Sequence, residues 1–129
     1  MKGFSRRALS VDGLQPVGAY SQAIMFGPWV FLSGQIPLIP GTGEIVKGDI
    51  ASQTERVMKN IQYILSVHQM SFQHIMKTSI FLKNMDHFPI VNRVYSAYFK
   101  EPFPARSCVA VQDLPKGVDI EIEAMACLK

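Results

Sequence analysis

The chain has 129 residues, 48% hydrophobic and 18% charged, which supplies one ordinary core and argues against disorder. Its net charge is only +3, with Lys and Arg scattered rather than striped, so charge gives nucleic-acid binding no support. Cys108 and Cys127 lie in separate apolar runs outside any CxxC, and His68, His74 and His87 stand apart, a pattern that fits neither a disulfide framework nor a metal site. Nothing approaches the roughly 18–20 apolar residues of a membrane span. The basic opening MKGFSRRALSVDG also lacks the apolar stretch of a secretory signal. A cytoplasmic protein is expected, its thiols suited to a reducing compartment; the arginines and serines near the start leave organellar targeting open.

In chain order, Phe4–Leu9 reads as a short edge strand guarded by Arg6 and Arg7. Tyr20–Met25 and Trp29–Ser33 read as two strands, with Phe26-Gly27-Pro28 as the turn between them. IPGTGE is a loop. Asp49 opens a helix that runs to about Val67, with Ile50, Val57, Met58, Ile61, Ile64 and Leu65 on one face. Gln53, Glu55, Arg56, Lys59 and Asn60 are assigned to its solvated back. Residues 75–82 (IMKTSIFL) have the composition of a strand. Asp86 is the expected cap of a second helix, about His87 to Phe99, with Pro89 tolerated in its first turn. Its apolar side is Phe88, Val91, Val94, Tyr95 and Tyr98. Ala105–Val111 and Asp119–Cys127 are the last of six strands, joined by QDLPKGV.

No repeat or linker divides the chain, so residues 1–129 are read as a single domain. Helices with one apolar stripe each imply a two-layer α+β domain, a six-stranded mixed sheet with two helices on one face. The other face is then solvated or covered by a second chain.

Strand periodicity is two. In the last strand Ile120, Ile122, Ala124 and Ala126 suit the helix layer, which leaves Glu121, Glu123, Met125 and Cys127 on the bare face. Arg106, Cys108 and Ala110 share one side of the preceding strand. The arginine is expected away from the helices, within reach of Glu121 or Glu123. The connection Gln112–Val118 closes a hairpin or steps over one strand; at about 3.3 Å per residue it is long enough for either. On residue chemistry alone Arg106 is either a surface ion pair, worth about 0–1 kcal/mol, or a planar fork for a ligand carboxylate.

VGAYSQAI, FLSGQIP, FPIVNRVY and PARSCVAV with IEIEA follow one another along the chain. In these motifs, and over nearly its whole length, the sequence resembles the RidA/YjgF family of reactive-intermediate deaminases. The resemblance implies a chorismate-mutase-like (YjgF-like) fold that assembles as a homotrimer, with sheets inside, helices outside and clefts between subunits. It also implies that the final strand inserts into the sheet.

Members carrying the arginine hydrolyse 2-imino acids and their enamine tautomers, such as 2-aminoacrylate/2-iminopropanoate and 2-iminobutanoate, to 2-oxo acids and ammonia. The implied role is metabolite damage control beside pyridoxal-phosphate-dependent dehydratases, with no contact to them required. Arg106 matches the family's carboxylate-binding arginine, and Glu121 the residue that positions the attacking water. Cys108 matches a cysteine whose backbone lines the pocket, and Tyr20, Ser33, Gly34 and Asn92 match further lining positions. Two departures bear on substrate size: Gly18-Ala19-Tyr20 stands where Gly-Pro-Tyr is usual, and segment 99–103 is short.

The implied reaction calls for no metal and no organic cofactor. Cys108 has no base evident in the sequence and is read as a lining thiol. Trp29 and the methionines are read as core or subunit contacts. Two alternatives from other classes stand beside the hydrolase: an endoribonuclease that inhibits translation, disfavoured by the weak charge and the absence of paired histidines, and a non-catalytic protein that binds small carboxylates.

Overall fold

The computed structural model describes residues 5–129, so Phe4 of the expected first strand lies outside the described residues. The elements are β1 (Arg7–Leu9), β2 (Ala23–Phe26), β3 (Trp29–Gln35), α1 (Ile50–Val67), β4 (Ile75–Leu82), α2 (Phe88–Ser96), β5 (Ala105–Ala110) and β6 (Ile120–Cys127). They build one six-stranded sheet in the order β1-β2-β3-β6-β4-β5. Only β4 and β5 run parallel, joined through α2. The connection after β5 therefore steps over β4, and β6 enters the middle of the sheet.

Local chemistry explains most boundaries. β2 and β3 form a hairpin whose two turn residues are Gly27 and Pro28, and Phe26 faces Trp29 across it. Gly27 takes φ 59 and supplies the left-handed backbone that such a turn needs before a proline. Asp49 caps α1 by accepting a hydrogen bond from the Ser52 amide at 2.8 Å. That bond holds the Asp49 carboxyl below its ordinary pKa. The expected Asp86 cap is not formed: α2 has His87 at its N-cap with no side-chain cap bond, and Asn84 caps the turn before it by accepting from the Asp86 amide at 2.9 Å. A single 3-10 turn, Met85–His87, then leads into α2. β2 also begins later than expected, because Tyr20 and Ser21 belong to a loop.

Both helices pack on one face of the sheet. Val30, Leu32, Ile80, Leu82, Ile120, Ile122, Ala124 and Ala126 meet Val57, Met58, Ile61, Ile64, Leu65, Val91 and Tyr95 in one buried cluster. Each fully buried Ile or Leu contributes about 1.5–3 kcal/mol. Gln53 and Asn60, assigned above to the solvated back of α1, are instead buried. Each meets groups that would otherwise lack partners. Asn60 Nδ2 donates to the carbonyls of Leu38 (2.8 Å) and Ile36 (3.3 Å) in the loop beside the helix. Gln53 Nε2 donates to the Asp119 carboxylate at 2.9 Å, and the Asp119 amide donates back to Gln53 Oε1 at 3.1 Å. Loop carbonyls under a helix need donors, and an amide supplies them.

The helix-free face is open. Phe26, Trp29, Phe31 and Val109 lie on it with 40–47% of their surface exposed. Glu121 and Glu123 share that face, opposite Phe81 and Ser79 of β4.

Candidate active site

The sequence-expected residues fall into two groups on opposite sides of the sheet. The first surrounds a cleft of about 610 Å³, lined among others by Tyr20, Ser33, Gly34, Lys116, Glu121 and Glu123. The pairing of β3 with β6 is irregular between Leu32 and Gln35, which takes Ser33 and Gly34 out of the ladder. The Glu121 carboxylate lies directly against Gly34, where an added Cβ would collide with it. Glycine is the residue that permits this approach.

Burial first, and the neighbouring Glu123 charge second, push the Glu121 carboxyl above its ordinary pKa. A carboxylate so placed is a stronger base than one in water. Ser33 Oγ donates to the Ser21 carbonyl at 2.6 Å, so its proton is committed and its lone pairs face the cleft as acceptors. Tyr20 is half exposed on the loop that forms the cleft's outer wall.

The second group centres on Arg106, and here the structure corrects the expected orientation. Arg106 pairs with Thr78 of β4, whose hydroxyl is 2.7 Å from the Tyr95 hydroxyl on α2. Arg106 and Cys108 therefore face the helix layer. Nη1 of Arg106 donates to Asn92 Oδ1 at 2.8 Å, and its guanidinium carbon lies 5.2 Å from the centres of both the Phe88 and Tyr95 rings. Such cation–π contacts contribute about 0.5–1 kcal/mol when exposed.

No carboxylate among the described residues pairs with Arg106. Glu121 and Glu123 are on the opposite face, and β4 separates β5 from β6. Parity correctly groups Arg106 with Cys108, but it does not choose the face. β5 is the edge strand, so on the helix side an arginine can still reach solvent, with its head against the α2 aromatics.

Cys108 is half-buried. Burial raises its thiol pKa and the Arg106 charge opposes the rise only partly, so the thiol stays protonated near neutral pH. Burial likewise raises the Tyr95 hydroxyl. Phe88 and Tyr95, read from sequence as core stripe, prove to frame Arg106. The residues that sequence reasoning missed at the cleft are Lys116, Gln22 and Gln35, while Glu123, expected beside Glu121 as a partner for Arg106, lines the cleft instead. The two glutamines carried a signal: amides at the ends of otherwise apolar strand motifs, in SQA and SGQ. The short segment 99–103 lines a separate depression of about 690 Å³, together with Phe72, Met76 and Tyr98.

A family model described as Endoribonuclease L-PSP matches residues 11–128. The chain belongs to this family, the RidA/YjgF family. Among relatives of this RidA/YjgF protein, a "RutC family protein" of Pyrococcus abyssi is 51% identical over 112 residues, covering 87% of this chain and 88% of the relative. The human 2-iminobutanoate/2-iminopropanoate deaminase is 40% identical over 127 residues, covering 98% and 93%. The structure of Escherichia coli TdcF with bound serine superposes with a TM-score of 0.87 at 36% identity, covering 94% of this chain and 98% of that one. The α+β fold with two helices on one face is thus the fold of the RidA/YjgF proteins.

Proposed function

We propose that the protein hydrolyses 2-imino acids to 2-oxo acids and ammonia in clefts that two copies of the chain complete together. The observation that carries this reading is the state of Arg106. Its guanidinium is already oriented by Asn92 and two rings, yet no carboxylate of the described residues occupies its fork. A planar fork held this way suits a ligand carboxylate through two parallel hydrogen bonds. The serine bound to the Escherichia coli relative, a small 2-amino acid, supports a ligand of this class.

Arg106 and Glu121 face opposite sides of one sheet, so one chain does not present both to one substrate. Symmetric association of copies supplies the missing half, and the open apolar face with Trp29 and Phe31 is a surface that such association would bury. A homotrimer of the family type meets both requirements.

In the proposed reaction Arg106 grips the carboxylate of a 2-imino acid whose nitrogen is protonated, leaving C2 electrophilic. Glu121 accepts a proton from water as the water oxygen bonds to C2. Glu121 returns that proton to the aminol nitrogen, the C–N bond breaks with its electron pair leaving on ammonia, and the hydroxyl gives its proton to Glu121 as the carbonyl of the 2-oxo acid forms. Positioning carries most of the acceleration.

The test is a coupled assay in which a serine or threonine dehydratase generates the imine and 2-oxo acid formation is followed. Faster product release with wild-type protein and none with Arg106→Lys is the expected result, since lysine keeps the charge and loses the fork. No acceleration with any amino acid substrate overturns the reading. The family description favours one other activity, and RNA cleavage abolished by Arg106→Ala would establish it.

A further inference from the structure

We propose that Gln22 and Gln35 are positioning residues of the Glu121 cleft, forming an amide clamp that holds the Tyr20 loop in place over the carboxylate. The kinetic part of this inference rests on the imine-hydrolase reading; the structural part does not.

Both side chains are almost completely buried, with 4% and 5% exposure. Burying an amide is unfavourable unless its donors and acceptors are met. Here the contacts close the loop before β2, fix the end of β3 and join the two. Gln22 Nε2 donates to the Leu14 carbonyl and closes the base of the loop 14–22. Gln22 Oε1 accepts from Gln35 Nε2 at 3.5 Å, and the same Gln35 nitrogen donates to the Ser33 carbonyl at 3.0 Å. The Ser33 amide donates to the Gln22 carbonyl at 3.0 Å, beside the Ser33 hydroxyl bond to Ser21. The residues that follow Tyr20 are thereby stitched to those that flank Gly34, against which Glu121 lies.

Two other bonds hold the start of the segment, from the Gly41 amide to the Gly13 carbonyl and between His68 Nε2 and the Ser10 carbonyl, but neither reaches the loop beyond Leu14. No strand or helix falls between Leu9 and Ala23. Val17 at its tip is 91% exposed, and Gly18 adopts φ 134. Leu14 is buried, and the clamp begins at its carbonyl. A methionine would fill the volume of Gln22 but leave that carbonyl without a donor and take from Gln35 its acceptor across the loop, leaving it only the Ser33 carbonyl. The distance between Tyr20 and Glu121 would then rest on the two Ser33 bonds to the Gln22 and Ser21 carbonyls.

The experiment is a double-mutant cycle with Gln22→Met and Tyr20→Ala, read by imine hydrolysis and by amide hydrogen exchange. Gln22→Met is expected to raise KM and to lower kcat/KM about tenfold. The double variant should fall no further than Tyr20→Ala alone, because Tyr20 can lose its position only once. General destabilisation would instead lower the active fraction, leave KM unchanged and multiply with Tyr20→Ala. In exchange, the Ser33 amide, which donates to the Gln22 carbonyl, should lose protection in Gln22→Met while α1 keeps its own.

Multiplicative kinetics, or unchanged exchange at the Ser33 amide, overturns the clamp. If Gln22→Met does not fold, Gln35→Met is the second variant, with the same expectations and the same overturning results. Wild-type protein without imine hydrolysis would overturn the proposed function, while exchange would still decide the clamp.

Discussion

The Glu121 cleft and the Arg106 corner solve opposite problems. The cleft keeps an acid half out of water, close against a glycine backbone and next to a second acid, so that its proton affinity rises. The corner leaves a permanent cation at the edge of the sheet and spends its contacts on orientation, with one amide acceptor and two rings. Proton transfer needs a perturbed group, whereas carboxylate recognition needs a fixed fork that keeps its charge. The two demands are met by different strands, on different faces, and neither group offers the other's chemistry.

Substitutions at both centres bear on that contrast. The largest effects belong to the two centres themselves. Glu121→Gln should lower kcat about 10²–10⁴-fold, the usual range for a lost general base. Arg106→Ala should lower kcat/KM about 10²–10³-fold through the lost charge-assisted pair. Co-refolding the two variants should restore roughly a quarter of the wild-type rate, since half the sites receive an intact Arg106 and half of those an intact Glu121. No recovery on mixing would break the two-chain site.

Gly34→Ala comes next. The new methyl displaces the Glu121 carboxylate, and kcat should fall about 10–100-fold, as an ångström of misplacement can cause. An unchanged kcat would show that the carboxylate's close seat is irrelevant. Asn92→Ala removes one acceptor and leaves both rings, so KM should rise about three- to tenfold with little change in kcat.

The smallest effect is a displaced pH profile. Glu121 works as a base, so kcat/KM should climb as pH rises through its raised pKa. Glu123→Gln removes the like charge, lowers that pKa and should move the limb to lower pH. Asn92→Ala should leave the limb where it is. A limb that ignores Glu123→Gln would assign it to another group.

The parts legible in sequence are those with a period or a punctuation mark. The stripe of α1, the Phe26-Gly27-Pro28 turn and the alternation of IEIEA each encode their own geometry; the stripe and the alternation appear as read, and the turn does so at Gly27 and Pro28, with Phe26 taken into β2. The face chosen by Arg106 was not legible. Ala105, Ser107 and Val109 are as acceptable toward solvent as toward helices, and what decides is α2 lying across one side of an edge strand. Gln53 and Asn60 were misread for a related reason. Helical periodicity marks them polar, but their partners are carbonyls and a carboxylate remote in the chain. Periodicity reports what a residue is, not whether a distant loop will present it with a carbonyl.

The position of β6 also has a consequence for how the molecule comes to exist. β1, β2 and β3 form one patch of sheet and β4 with β5 another, and β6, last in sequence, is the only strand hydrogen-bonded to both. Until it is synthesised and threaded between them, neither patch has a neighbour on its inner edge. The sheet therefore closes late, through pairings distant in sequence, a topology associated with slow folding. The strand that completes the sheet is also the one that carries Glu121. In a chain without β6, β3 and β4 would each present an unpaired inner edge to other chains, and the missing strand would be the one that carries the residue proposed to do the chemistry.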